Sequence, residues 1–248
     1  MSKAHNKHFH LNLPTSIGSK LIKFSYFFLA LLVVSCGDTK SKKAIEGEQS
    51  EKQSEENETT DANPKTILCF GDSITAGYGL DDSNDGYPAV LQQKIDSLNL
   101  DYTVINSGVS GETSAGGKSR IEWVIEQDID IFLLELGAND GLRGVPLSET
   151  RSNLQSIIDA VQKKNPEIKI ILAGMELPPN MGKEYTTGFR QLYADLAKKN
   201  KVAFIPFILK DVGGIASLNQ SDGIHPTIEG HKIVANTVWE TLKPLLEP

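Results

Sequence analysis

Thr66-Ile67-Leu68-Cys69-Phe70-Gly71-Asp72-Ser73 is the stretch on which the fold turns. Its first five residues are apolar or β-branched with no polar alternation, the pattern of a strand buried on both faces. Four further runs of the same kind stand at Tyr102–Asn106, Ile131–Leu136, Ile168–Ala173 and Val202–Pro206. The segments between them carry helical period. Leu154, Ile157, Ile158 and Val161 are spaced i, i+3, i+4, i+7 after Ser148, a candidate N-cap, and Asn165-Pro166 ends that helix. Val234, Val238 and Leu242 mark a last helix beginning near Pro226, a favourable first-turn proline. Strands of this type alternating with helices predict an α/β fold: a three-layer α/β/α sandwich around a parallel sheet of about five strands. Ligands of such folds bind beyond the carboxyl ends of the strands.

Composition narrows the function. The 248 residues are 39% apolar and 23% charged, which suits one sizeable core. The formal charge is −7, although residues 1–35 hold four lysines and no acid, so the remainder is more acidic still. An acidic body without a basic stripe repels phosphate backbones, and nucleic acid is not an expected partner. The two cysteines, Cys36 and Cys69, supply neither a disulfide framework nor a thiolate zinc cluster. Three of the five histidines lie in the basic leader, so imidazole chemistry in the body rests on His225 or His231. No metal site and no cofactor are expected.

Residues 1–35 read as an export signal. A basic stretch precedes an apolar run from Phe24 to Val34 that is too short and wrongly flanked for an ordinary membrane span. The run ends at Val33-Val34-Ser35-Cys36, which resembles the bacterial lipoprotein processing box. That resemblance implies cleavage before Cys36, lipidation of its thiol, and anchorage to a bacterial membrane facing the periplasm or the cell exterior. The alternatives are a signal peptide cleaved nearby, with Cys36 incidental, and a retained signal anchor. Residues 36–63 lack apolar bulk; eight acidic and four basic side chains lie between Asp38 and Asp61. Such a segment reads as a flexible tether, leaving 64–248 as the folded domain, expected as a monomer.

The chemistry-bearing residues fall at strand ends. Gly71 permits a tight turn that exposes Ser73, although a serine after a strand is more often a helix cap. The nucleophile elbow G-x-S-x-G is not met, since Thr75 stands where its second glycine belongs. Near the other end, Asp222-Gly223-Ile224-His225 spaces a carboxylate and an imidazole by three, close enough in a turn for Asp222 to fix the tautomer of His225. The plainer reading is a capping aspartate and a packed histidine. His231, inside the predicted helix, reads as a surface residue. Two loops offer hydrogen-bond donors: Asn106–Thr113 after the second strand, and Gly137-Ala138-Asn139-Asp140-Gly141 after the third. Asp72, Asp140 and the pair Asp81-Asp82 lie in separate polar loops, where turn bonding or solvation accounts for them. Cys69, within a strand, is expected in the core.

These four blocks together resemble the GDSL or SGNH hydrolase family, over essentially all of 66–246 and in the family's order. The octet Gly137–Gly144 and Met175-Glu176-Leu177-Pro178-Pro179-Asn180 are similar to its acyl-thioesterase, arylesterase and lysophospholipase members. The resemblance implies a flavodoxin-like sandwich, Ser73 as nucleophile, and Asp222 and His225 as acid and base. The backbone N–H groups of Ser73 and Gly111, with the Asn139 amide, would form the oxyanion hole. Leu142, Leu177 and Pro178 would contact an acyl chain. Met181 and Tyr185 could join that groove or serve as loop packing. Ile74 and Ala138 depart from the commonest family residues without touching the chemistry. The implied activity is hydrolysis of acyl esters, thioesters or lysophospholipids. Removal of acetyl groups from sugars, and a non-catalytic surface-binding lipoprotein, are the competing expectations. A deacetylase would want an aromatic-lined cleft, which Trp123 and Trp239, both in helical segments, do not obviously supply.

Overall fold

A computed structural model describes residues 64–247. The leader, the tether and Cys36 lie outside them. Five strands form one parallel sheet in the order β2-β1-β3-β4-β5, with β1 at Lys65–Gly71, β2 at Tyr102–Gly108, β3 at Ile131–Glu135, β4 at Lys169–Ala173 and β5 at Ala203–Ile205. Ile67 to Phe70 and all of β3 are buried, as strands covered on both faces require.

Among the described residues seven α-helices accompany them: α1 (Ser73–Ala76), α2 (Tyr87–Ser97), α3 (Ser114–Val124), α4 (Ala138–Leu142), α5 (Leu147–Lys164), α6 (Lys183–Asn200) and, after the last strand, α7 (Ile228–Leu242). They fall into two groups of neighbours, α2 with α7 and α3 with α5 and α6, which close the two faces of the sheet. Chain order reverses between β1 and β3. In an open parallel sheet that switch point leaves a crevice beyond the carboxyl ends, because the connections on either side leave in opposite directions. The loops following β1 and β3 carry Ser73 and Asn139.

The structure corrects several boundaries. β2 runs past Asn106 through Ser107 to Gly108, paired with Phe70 and Gly71, because ladder hydrogen bonds use the backbone whatever the side chain. α5 starts at Leu147 with Pro146 at the cap, its carbonyl accepting from Glu149 N and Thr150 N; Ser148 is already inside the first turn and caps nothing. α7 begins at Ile228, capped by Thr227, whose Oγ1 accepts from Gly230 N at 3.3 Å. Pro226 is in an antiparallel bridge with Asn219 just ahead.

His231 is fully buried, not on the surface. It stands three residues before Val234 on the face of α7 that packs on α2, and Nδ1 accepts the first-turn N–H of Tyr87 at 3.3 Å. Cys69 is in the core as expected, and burial pushes its thiol up to about 12. Among the described residues, no helix is long and apolar enough to cross a membrane.

Candidate active site

The nucleophile side is built by one turn of helix. β1 ends at Gly71; Asp72 caps α1 by accepting Ile74 N–H on Oδ1 at 3.1 Å, and Ser73 opens the helix. Gly77, at φ 73°, closes it, and Tyr78 N–H returns to Ser73 O at 3.0 Å. So short a helix between tight turns leaves Ser73 at the crevice, nearly buried but lining the cleft.

A second loop brings the base. Asn219, buried, donates to Val212 O and Ile215 O. Gln220 donates from Nε2 to Tyr78 O at 2.7 Å and to Pro226 O at 3.0 Å, tying this loop to the nucleophile turn. Asp222 Oδ1 accepts the backbone N–H groups of Ile224 and His225, a turn that Gly223 completes at φ 77°. Asp222 Oδ2 lies 2.7 Å from His225 Nδ1, and His225 Nε2 lies 2.9 Å from Ser73 Oγ. The hydrogen bond from His225 and the two amides hold the Asp222 carboxyl down at about 2, so it is an ionised acceptor. Nδ1 therefore carries the proton, and Nε2 presents a lone pair to the serine hydroxyl. The Tyr78 ring packs on the imidazole, 4.7 Å between centroids.

Donors face the serine from the other side. Gly111 takes φ 79° and borders the cleft, and neither its N–H nor that of Ser73 has an intramolecular partner among the described residues. Asn139, in the first turn of α4, donates from Nδ2 to Asp72 Oδ2 at 3.2 Å and to Glu112 O at 3.0 Å. Asp140 is buried and accepts from Ser114 N at 2.7 Å and Ser114 Oγ at 2.5 Å, clamping the start of α3 to α4. The loop holding Gly111 and the helix holding Asn139 are thus one unit.

Ser73, Gly111, Asn139, Asp222 and His225 converge on one cleft of about 720 Å³, which Leu142, Leu177 and Pro178 also line. Met175, Phe207 and Ile224 add apolar wall. Met181 and Tyr185 are not among the lining residues. Tyr185 is turned away, donating to Val145 O at 2.7 Å and stacking on Phe189. Neither tryptophan lines the cleft.

Asp72 makes the expected turn bond, to Ile74 N–H, but Asp72 and Asp140 are buried rather than solvated, and Asp140 is held across the fold by Ser114 and Thr150 rather than by its own turn. A third acid, Glu135, is buried inside the apolar run of β3. Glu135 Oε2 accepts from Asp72 N at 3.2 Å and Thr75 Oγ1 at 2.8 Å, and Tyr87 OH is 2.8 Å from the same Thr75 oxygen. Burial, then the neighbouring Asp72 charge, drive the Glu135 carboxyl well up, and burial raises Asp72 to about 6. A lone acid in a continuous apolar strand was the available signal: such a group must be neutral or bonded.

A hydroxyl, an imidazole and a carboxylate in relay, at the switch point of a parallel sheet, define a serine hydrolase. The chain belongs to the GDSL-like lipase/acylhydrolase family, whose sequence profile matches residues 69–233. It is 42% identical to the esterase TesA of Pseudomonas aeruginosa, over 76% of this chain and 92% of that one. Identity is 35% to the thioesterase 1/protease 1/lysophospholipase L1 of Escherichia coli, over 73% and 85%. Among solved structures, the psychrotrophic esterase EstA from Pseudoalteromonas sp., inhibited by monoethylphosphonate, superposes with a TM-score of 0.68 at 31% identity, covering 73% of this chain and 97% of that one. The protein is an ester-hydrolysing enzyme of this family.

Proposed function

We propose that Ser73 is the nucleophile of this esterase, His225 its base and acid, and Asp222 the orienting carboxylate. The 2.9 Å contact between His225 Nε2 and Ser73 Oγ carries the reading. Ser73 Oγ bonds to the carbonyl carbon of an ester or thioester as its proton passes to Nε2. Negative charge gathers on the carbonyl oxygen, facing the N–H groups of Ser73 and Gly111 and the Asn139 amide. The imidazolium, stabilised by Asp222, returns its proton to the leaving alcohol or thiol as that bond breaks. Water repeats the sequence on the acyl-enzyme, releasing the acid and restoring the serine proton.

The apolar wall of Leu142, Leu177, Pro178, Met175 and Phe207 favours an acyl chain over a sugar as the group held. The names of the relatives, esterase and thioesterase/lysophospholipase, support oxygen and sulfur leaving groups alike. We further propose that the enzyme is exported, carried as a monomer on a tether from a lipidated Cys36. The lipobox-like sequence at 33–36 supports this.

The test is hydrolysis of p-nitrophenyl esters from acetyl to palmitoyl by the wild type and Ser73→Ala. A Ser73→Ala loss of about 10⁶ in kcat is expected, the size seen when a triad serine is removed. Activity undiminished in Ser73→Ala would refute the relay, and activity confined to the acetyl ester would refute the acyl groove. Metabolic labelling with a fatty-acid analogue, lost in Cys36→Ala, tests the anchor.

A further inference from the structure

Asp72 is buried beside the nucleophile yet stands outside the relay. Its two oxygens have different duties. Oδ1 accepts Ile74 N–H at 3.1 Å and so caps the helix that Ser73 opens; Oδ2 accepts Asn139 Nδ2 at 3.2 Å. The second partner of that amide nitrogen is Glu112 O, at 3.0 Å. A backbone carbonyl and a carboxylate can only accept, so together they select the rotamer of Asn139 that offers N–H groups. Turned over, the amide would set its own oxygen against both.

We propose that Asp72 is the positioning residue of the oxyanion hole, its carboxylate fixing the donor face of Asn139 and tying it to the turn that carries Ser73. The inference rests on the reading of Asn139 as an oxyanion donor. When the charge develops, the N–H now given to Glu112 O is shared with it in a bifurcated bond, while the bond to Asp72 keeps the planar amide in place. Two acceptors are needed at once, which is why a carboxylate is required. Asparagine at 72 has one oxygen and must present its own N–H₂ either to Ile74 N–H or to the Asn139 amide. Serine at 72 can still cap Ile74 but leaves Asn139 unheld. Burial raises the Asp72 carboxyl to about 6, so it is ionised at neutral pH.

The experiment compares kcat and KM for p-nitrophenyl butyrate in the wild type, Asn139→Ala, Asp72→Asn, Asp72→Ser and the double variant Asp72→Ser/Asn139→Ala. Asn139→Ala is expected to lose about 10²–10³ in kcat, as for other oxyanion donors. Each Asp72 variant should lose part of the same factor, roughly 10- to 100-fold, with KM nearly unchanged, and the double variant should be no slower than Asn139→Ala. Asp72→Ser keeps the helix cap and so tests the hold even if Asp72→Asn fails to fold. A slow Asn139→Ala beside an Asp72→Ser at wild-type rate would overturn the Asp72 assignment alone. So would losses that multiply in the double variant, which would place Asp72's effect directly on the imidazolium. Asn139→Ala at wild-type rate would overturn the oxyanion reading, and this inference with it.

Discussion

Gly71 of β1 and Glu135 of β3 are register partners at the carboxyl ends of adjacent strands, and the Glu135 carboxyl occupies the space a side chain at 71 would need. A Cβ there would also meet Thr75 Oγ1, and would lie 2.7 Å from the Glu135 backbone oxygen, which cannot move without breaking the ladder. Glycine is thus required by close approach, not by a positive φ. Gly71→Ala should lower stability by roughly 1–3 kcal/mol, the range for overpacking. Urea unfolding would read this as a lower midpoint at unchanged slope, accompanied by lost activity because the strain falls on the turn bearing Ser73. A midpoint equal to the wild type would mean that the end of β1 shifts away from Glu135 and Thr75 without cost.

The Asp222–His225 pair gives a catalytic prediction. Asp222 is an acceptor only, and its loop is held independently by Gln220 and Asn219. Asp222→Asn should therefore fold normally while presenting an amide that no longer enforces a proton on Nδ1. Loss of the correct tautomer costs a comparable relay about 10⁴ in kcat. Steady-state kinetics beside a melting curve would check it: a folded variant within tenfold of the wild type would remove Asp222 from the relay.

Chain-length preference should reside in the cleft wall. Leu142 is 42% exposed at the mouth, so its replacement leaves the core intact. Leu142→Ser removes apolar contact worth about 1 kcal/mol, on the scale of one buried methylene. That corresponds to a roughly fivefold loss in kcat/KM for octanoyl and longer esters, with the acetyl ester little changed. A uniform loss across the series would place Leu142 outside the acyl path.

Much of this was legible in the sequence because the physics involved is local. Continuous apolar runs identify the strands of the parallel sheet, and all five are present, although the edge strand β2 leaves Thr103 and Asn106 exposed. Asp222 and His225 sit three apart in a turn, so their pairing depends on no distant segment. Strand ends were less legible, since Ser107 and Gly108 extend β2 through backbone bonds that no side chain advertises. The buried polar residues were least legible. Asp140 is buried because α3 delivers Ser114 to it, and Asp72 because α4 delivers Asn139. Neither partner is near in sequence. Two signals were nonetheless there to use: Glu135 interrupts an apolar strand, and His231 shares the helical spacing of Val234, Val238 and Leu242.

His231 carries the last prediction, and its sign follows from burial. The imidazole accepts Tyr87 N–H on Nδ1, so Nε2 bears the proton, and that atom is buried without a partner. Burial, then the proximity of His225, lowers its pKa to about 4 from an ordinary 6.5. The unfolded chain therefore takes up a proton at higher pH than the folded one does. Stability from the neutral ring is fully present above pH 6.5 and is lost as the pH falls from there toward 4, by on the order of 3 kcal/mol. Asp72 acts in the opposite direction over part of that range, because its raised carboxyl favours the fold at low pH. A comparison with His231→Asn cancels that contribution. Asparagine places Oδ1 where Nδ1 stands, keeping the bond to Tyr87 N–H and deleting the titration. Urea midpoints measured from pH 4.5 to 7.5 should fall more steeply with acid in the wild type than in the variant. The variant should start lower at pH 7.5, because the missing ring atoms leave a void. Parallel slopes would show that His231 is as readily protonated in the folded chain as in the unfolded one.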